Sequence, residues 1–241
     1  MPKNFCYEEV NDMTKEVSSV RVFIRLAASF TMCGAVFFGT AGTLKWLEPW
    51  LYLLISISFT VPGVIWMKKN DPQLLKDRMG LDKKKPKPLD RFILILYGIF
   101  MTALFVLPGL DVKRFEWSSL PLCLKIIGFL FLSLGYYVFG LTIKSNPYLS
   151  SIVEVHEERE HKVATTGPYK YIRHPWYTGI NLFFYSVPLA LGSLYALLPA
   201  VILTLLIVFR IIMEEKELKQ NLPGYNEYCA NVKHRIIPYI I

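Results

Sequence analysis

Charged positions divide the chain into apolar runs of nearly constant length. Nineteen residues without Asp, Glu, Lys or Arg separate Arg25 from Lys45, another nineteen separate Glu48 from Lys68, and a third nineteen separate Arg91 from Asp111. As helices, these runs would each reach ~28 Å, close to the ~30 Å hydrocarbon thickness of a bilayer. A fourth run extends from about Leu120 to Ile143, with Lys125 near one end, where a long side chain can reach the headgroups. Four transmembrane helices are therefore predicted in an N-terminal region, residues 1–143.

A polar stretch, Lys144 to Arg173, precedes the longest run, the 35 uncharged residues from Pro175 to Phe209. One helix of that length would measure ~52 Å, far more than a bilayer accommodates. Pro188, Gly192, Ser193 and Pro199 lie near its middle, where missing N–H groups and glycine's freedom favour a turn. The pattern predicts a helical hairpin within a C-terminal region, residues 144–241. The fold class expected is all-α: a polytopic integral membrane protein of about six segments.

The distribution of Lys and Arg agrees with an even number of crossings. Of 27 cations, 23 lie in the N-terminal segment, the loop from Lys68 to Arg91, the stretch from Lys144 to Arg173 and the tail from Arg210. With six crossings all four segments share one side, and retained positive charge makes that side cytoplasmic, both termini included. A single pass through the final run would instead export the tail.

Composition narrows the class further. A chain that is 53% hydrophobic with a net charge of +8 is no ordinary soluble globule, and 16 Phe, 14 Tyr and 5 Trp exclude disorder. The dense lysines of Asp82 to Pro88 suit anionic lipid headgroups beside a membrane helix, so membrane lipids and not nucleic acid are the expected partners. Cys6, Cys33, Cys123 and Cys229 form no CxxC pair, and no metal site is expected. His156 and His161, five apart among glutamates, fit a polar turn better than a metal centre. Dinucleotide, phosphate-loop, HExxH and GxSxG motifs are absent.

Candidate chemistry gathers around the predicted hairpin. His161 to Tyr169 and Tyr171 to Gly179 precede its first arm, and Arg210 to Leu218 ends its second. Antiparallel arms bring His174 to Tyr177 and Arg210 to Glu215 to one interface, although nearly 40 residues separate them in sequence. Arg210 and Glu214, four apart, share a helix face. Such a pair is often only a surface ion pair, and aromatic belts are common at membrane boundaries. Their concentration around one broken hairpin, with Gly-Pro and His-Pro corners, exceeds what topology requires.

These residues resemble the isoprenylcysteine carboxyl methyltransferase family, which shares a wider group with phospholipid N-methyltransferases. The resemblance rests on Gly167-Pro168-Tyr169-Lys170-Tyr171-Ile172-Arg173-His174-Pro175-Trp176-Tyr177-Thr178-Gly179, on Glu214-Glu215 followed by Leu218, and on Pro223-Gly224-Tyr225-Asn226-Glu227-Tyr228 before Pro238. It covers residues 144–241. It implies a cytoplasmic pocket for S-adenosyl-L-methionine and a lipophilic acceptor substrate entering from the bilayer. By resemblance, His161, Lys162, Val163, Ala164, Tyr169, His174, Pro175, Trp176, Tyr177 and Glu214 bind the cofactor. Arg210 steadies the acceptor carboxylate, and Arg210, Glu214 and Glu215 are the catalytic candidates.

Residue chemistry is compatible with that assignment. A sulfonium favours aromatic faces and a carboxylate, an amino group favours Glu, and a carboxylate favours a donor such as His174. The expected reaction is carboxyl O-methylation of an isoprenylcysteine-type substrate. Phospholipid N-methylation or small-thiol S-methylation on the same scaffold is the alternative within the enzyme class. A membrane reductase or a transporter is the alternative outside it.

Overall fold

The computed structural model describes residues 18–79, 88–146 and 163–237. Among them the regular structure is helical throughout, with no strand. In chain order the helices are α1 (Ser19–Ala41), α2 (Leu47–Asn70), α3 (Pro72–Arg78), α4 (Pro88–Gly109), α5 (Leu122–Ser145), α6 (Pro175–Leu191), α7 (Leu197–Asn221) and α8 (Tyr225–Asn231). A π-helical turn, Leu110–Arg114, extends α4, and a 3₁₀ turn, Gly167–Lys170, precedes α6.

Among the described residues, five helices are long and apolar enough to cross a membrane: Ser19–Ala41, Leu47–Asn70, Arg91–Arg114, Leu122–Ser145 and Leu197–Asn221. Only 17% to 28% of the most apolar window of each is buried, so the bundle turns greasy faces such as Phe23, Leu54, Leu122 and Leu205 outward. A hydrocarbon solvent accommodates that surface, whereas water would not. The protein is an all-helical polytopic membrane protein. The first arm of the hairpin is shorter than the rest, since the 17 residues of α6 span only ~26 Å.

The hairpin turns where the breakers cluster. Gly192 takes φ of 83°, a left-handed conformation that ends α6, and Ser193 N–H donates to the Pro188 carbonyl at 2.8 Å. Pro199 falls in the first turn of α7, where its missing N–H leaves no helical hydrogen bond unmade. Asp111, fully buried in the π turn, clamps this end. Its Oδ2 accepts from Ser118 Oγ and Ser193 Oγ, both at 2.6 Å, and from Tyr195 N–H at 3.3 Å.

The central packing pairs α6 with α5 along most of its length. Glycine makes this approach possible: a Cβ at Gly128 would run into the Ala190 backbone, and one at Gly179 would lie 2.6 Å from the Phe139 ring. Phe37, Leu104, Leu132, Val187, Leu191 and Leu203 fill the space between helices. Lys125, near the start of α5, donates to Glu48 Oε1 on α2 at 2.6 Å, a charge-assisted hydrogen bond between the two helices.

Candidate functional site

The open end of the hairpin, opposite its turn, begins with the 3₁₀ turn that follows Thr166. Tyr169 is buried there. Its hydroxyl accepts from Asn146 Nδ2 at 2.9 Å, and its carbonyl accepts from Tyr228 Oη at 2.7 Å. Burial pushes the Tyr169 phenol well above the ordinary range; the Asn146 hydrogen bond opposes this, Glu214 adds to it and Arg78 opposes it. The phenol is therefore a neutral donor or acceptor within electrostatic reach of both charges.

Four residues later the chain enters α6 through Arg173 and His174. Pro175 occupies the first helical position, where its fixed φ is already helical. Arg173 is a hub: Nε donates to Glu215 Oε1 at 2.7 Å, and Nη1 donates to the carbonyls of Val232 at 2.7 Å and Lys233 at 3.0 Å. The tail returns the contact, with the Arg173 and His174 N–H groups donating to the carbonyls of His234 and Arg235. Thr178 Oγ1 donates to the Ile236 carbonyl at 2.6 Å.

The adjacent glutamates of α7 have different surroundings. Glu215 is 3% exposed. Its Oε1 lies 2.7 Å from Arg173 Nε and 3.3 Å from His174 Nε2, and its Oε2 accepts from Arg235 Nε at 3.1 Å. Glu214 is half-buried and accepts from Tyr177 Oη at 2.5 Å, while Arg210 Nε donates to the same phenol oxygen at 3.0 Å. Arg210 and Glu214 do share a face, with Tyr177 standing between them. Successive helix positions are ~100° apart, which turns Glu215 into the hub and Glu214 toward the phenol.

Aromatic rings cluster around the first turn of α6. The Trp176 ring lies 4.4 Å from that of Phe139, and the Arg78 guanidinium stacks on the indole at 4.0 Å. Tyr177 lies 5.8 Å from the His174 ring. A groove of about 450 Å³ is lined by Val163, Thr165, Tyr169, Gly224, Tyr228 and Val232, among others.

The structure thus brings Tyr169, His174, Pro175, Trp176, Tyr177, Arg210, Glu214 and Glu215 to one end of the bundle. Val163 is half-buried against the cluster of Leu222, Tyr225, Tyr228 and Val232, and Ala164 beside it is also half-buried. His161, Lys162, His156 and the lysines at 83–87 lie outside the described residues.

Three residues of this neighbourhood escaped sequence reasoning. Arg173 stood inside the quoted motif without a role, Arg235 sat in the tail, and Arg78 counted only as a charge on a loop. For Arg78 a signal existed. It follows Leu74 by four positions, and Leu74 is 1% exposed, so the same helical face carries Arg78 inward.

Residues 124–223 match the phospholipid methyltransferase family model. That stretch is a phospholipid methyltransferase-family domain. It begins inside α5, takes in the whole hairpin and ends before α8, so it contains Arg173, His174, Tyr177, Arg210 and both glutamates. Arg78 and Arg235 meet this methyltransferase domain from outside the matched stretch. The family implies methyltransferase activity, here in an all-helical membrane protein. No curated protein of similar sequence was found.

Proposed function

We propose that the protein uses S-adenosyl-L-methionine to methylate a lipophilic acceptor that reaches the open end of the hairpin from the bilayer. The observation that carries this reading is the chain Arg210–Tyr177–Glu214, linked by hydrogen bonds of 3.0 Å and 2.5 Å, inside the methyltransferase domain. The residues present fit the cofactor's cationic portion. Glu214 offers a half-buried carboxylate to an ammonium or a sulfonium, and the Tyr177 ring beside it offers an aromatic face; the Trp176 face is already taken by the Arg78 guanidinium. The groove beside Val163 and Tyr169 offers apolar and aromatic edges of a size suited to a nucleoside base.

The cofactor supplies a methyl group activated by its positive sulfur. The protein's own part is alignment and exclusion of water, which can lower a barrier by ~7 to 11 kcal/mol. Glu215 is better suited to positioning than to proton transfer, because both its oxygens already face cations. It fixes the angle at which Arg173 and His174 enter α6, and through them the register of Trp176 and Tyr177. His174 was the expected donor to the cofactor's carboxylate, but its Nε2 turns toward Glu215.

An anionic acceptor arrives without a proton, so it needs no base and benefits from Arg210, whose planar guanidinium suits a carboxylate. This supports carboxyl O-methylation of an isoprenylcysteine-type acceptor. The family match favours a second reading, an amine headgroup, whose proton Tyr177 and Glu214 would receive. Membranes incubated with methyl-labelled cofactor, a farnesylated cysteine analogue and a phosphatidylethanolamine separate the two. Base-labile label on the cysteine analogue supports the ester; base-stable label on the phospholipid supports the amine. Absence of label from either acceptor, with no cofactor affinity, would sink the proposal.

The same reading sets the site and both termini on the cytoplasmic side, where the cofactor is available. Single cysteines introduced at the N-terminus and beside Lys233 should both react with an impermeant maleimide only after that side is exposed.

A further inference from the structure

Arg78 is the one cation among the described residues whose buried nitrogens have no hydrogen-bond partner. The two atoms concerned, Nε and Nη2, share one edge of the guanidinium. That edge is the fork with which arginine takes two oxygens of a carboxylate or phosphate side by side. A buried guanidinium edge left unmade is costly, and such groups in folded proteins are normally satisfied.

The surroundings hold this edge in place. Trp176 covers one face of the guanidinium at 4.0 Å, so the edge remains the part available for hydrogen bonding. Helix α3 is pinned beneath it: Asp71 Oδ1 accepts from Leu74 N–H at 3.0 Å, Leu74 and Leu75 are buried against Val22 and Met67, and Arg25 Nη1 donates to the Met79 carbonyl. Burial pushes the Arg78 pKa down to about 10, with Tyr169, Tyr177 and Asp77 opposing the shift, so it stays charged at neutral pH. Trp176, on which Arg78 stacks, directly precedes Tyr177, whose hydroxyl donates to Glu214.

We propose that Arg78 is the anion receptor of the methyltransferase site, taking through Nε and Nη2 the carboxylate or phosphate of the molecule bound against Tyr177 and Glu214. The inference rests on the function proposed above and adds a residue from outside the matched domain. Arg78 and Glu214 then form two poles, the first for an anion and the second for a cation. A zwitterionic amino-acid group, such as the cofactor carries, has the two opposite charges that such poles would take. An acceptor's own carboxylate or phosphate is the other source of the same chemistry.

Calorimetry on the full-length protein in nanodiscs distinguishes these sources. The ligands are S-adenosylhomocysteine and 5′-methylthioadenosine, which keeps the nucleoside and thioether but lacks the amino-acid carboxylate. If the cofactor supplies the anion, Arg78→Gln raises the Kd for S-adenosylhomocysteine at least tenfold, equivalent to about 1.4 kcal/mol, and leaves methylthioadenosine unchanged. Arg78→Lys, which keeps the charge and loses the fork, should fall between. If the acceptor supplies it, both Kd values hold and the acceptor KM rises at least tenfold at saturating cofactor.

The proposal is overturned if Arg78→Gln leaves Kd and KM unchanged. It is equally overturned if both variants weaken every ligand alike while lowering Tm, which would make Arg78 a packing residue. Failure of the wild-type protein to bind S-adenosylhomocysteine would be a different result: it would sink the function proposed above and take this inference with it.

Discussion

Two buried carboxylates hold the two ends of the α6–α7 hairpin, and they do so with different chemistry. At the turn, Asp111 Oδ2 gathers neutral donors, the hydroxyls of Ser118 and Ser193 and the Tyr195 N–H. At the open end, Glu215 gathers the guanidinium groups of Arg173 and Arg235 and the ring of His174. The first arrangement closes a corner. The second also leaves neighbours over, because Glu214 accepts from Tyr177 and Arg78 presents an unused edge. Burial of an acid therefore does not mark a site in this fold, and neither does an unpartnered atom alone, since Asp111 Oδ1 is also buried without a hydrogen bond; the two ends differ in the charge of the groups gathered around the acid.

The comparison can be broken at either end. Glu215→Ala should have the largest effect, destabilising the protein by about 3–5 kcal/mol, since the Arg173 guanidinium would remain buried without its counter-charge. A large fall in Tm together with loss of methyl transfer is expected from thermal unfolding in detergent, and an unchanged Tm would remove Glu215 as a hub. Asp111→Ala should cost about 1–3 kcal/mol through orphaned donors at the turn, yet leave the Kd for S-adenosylhomocysteine unaltered. Weakened binding in that variant would mean that the ends are not separable.

Glu214→Gln sharpens the contrast with its neighbour. It keeps an acceptor for Tyr177 and removes the charge, so Tm should hold while the Kd for S-adenosylhomocysteine rises roughly tenfold, about 1.4 kcal/mol. Calorimetry beside thermal unfolding reads both. Equal behaviour of the Glu214 and Glu215 variants would erase the distinction between binding and positioning.

The hairpin was legible in the sequence because its causes are local. Thirty-five uncharged residues exceed one crossing, and Pro188 and Gly192 act on their own backbone whatever surrounds them. The division of labour between Glu214 and Glu215 was not legible. Neighbouring acids look alike in a string, and only the helix rotation of ~100° between them decides which meets Arg173 and which meets Tyr177. The tail was illegible for another reason: it contributes the carbonyls of Val232, Lys233, His234, Arg235 and Ile236, and a carbonyl carries no residue identity. Arg78 was hidden by its own segment, where nine cations between Lys68 and Arg91 satisfied the topology argument so fully that none called for a separate explanation.

The carbonyls that Arg173 and Thr178 grip lie at residues 232–236, beyond both arms of the hairpin in the chain. The two arms carry their own helical hydrogen bonds, whereas the corner at His174 takes its backbone acceptors from this tail. A chain cut short before residue 232 would therefore keep the hairpin's helices and lose the acceptors that finish its open end.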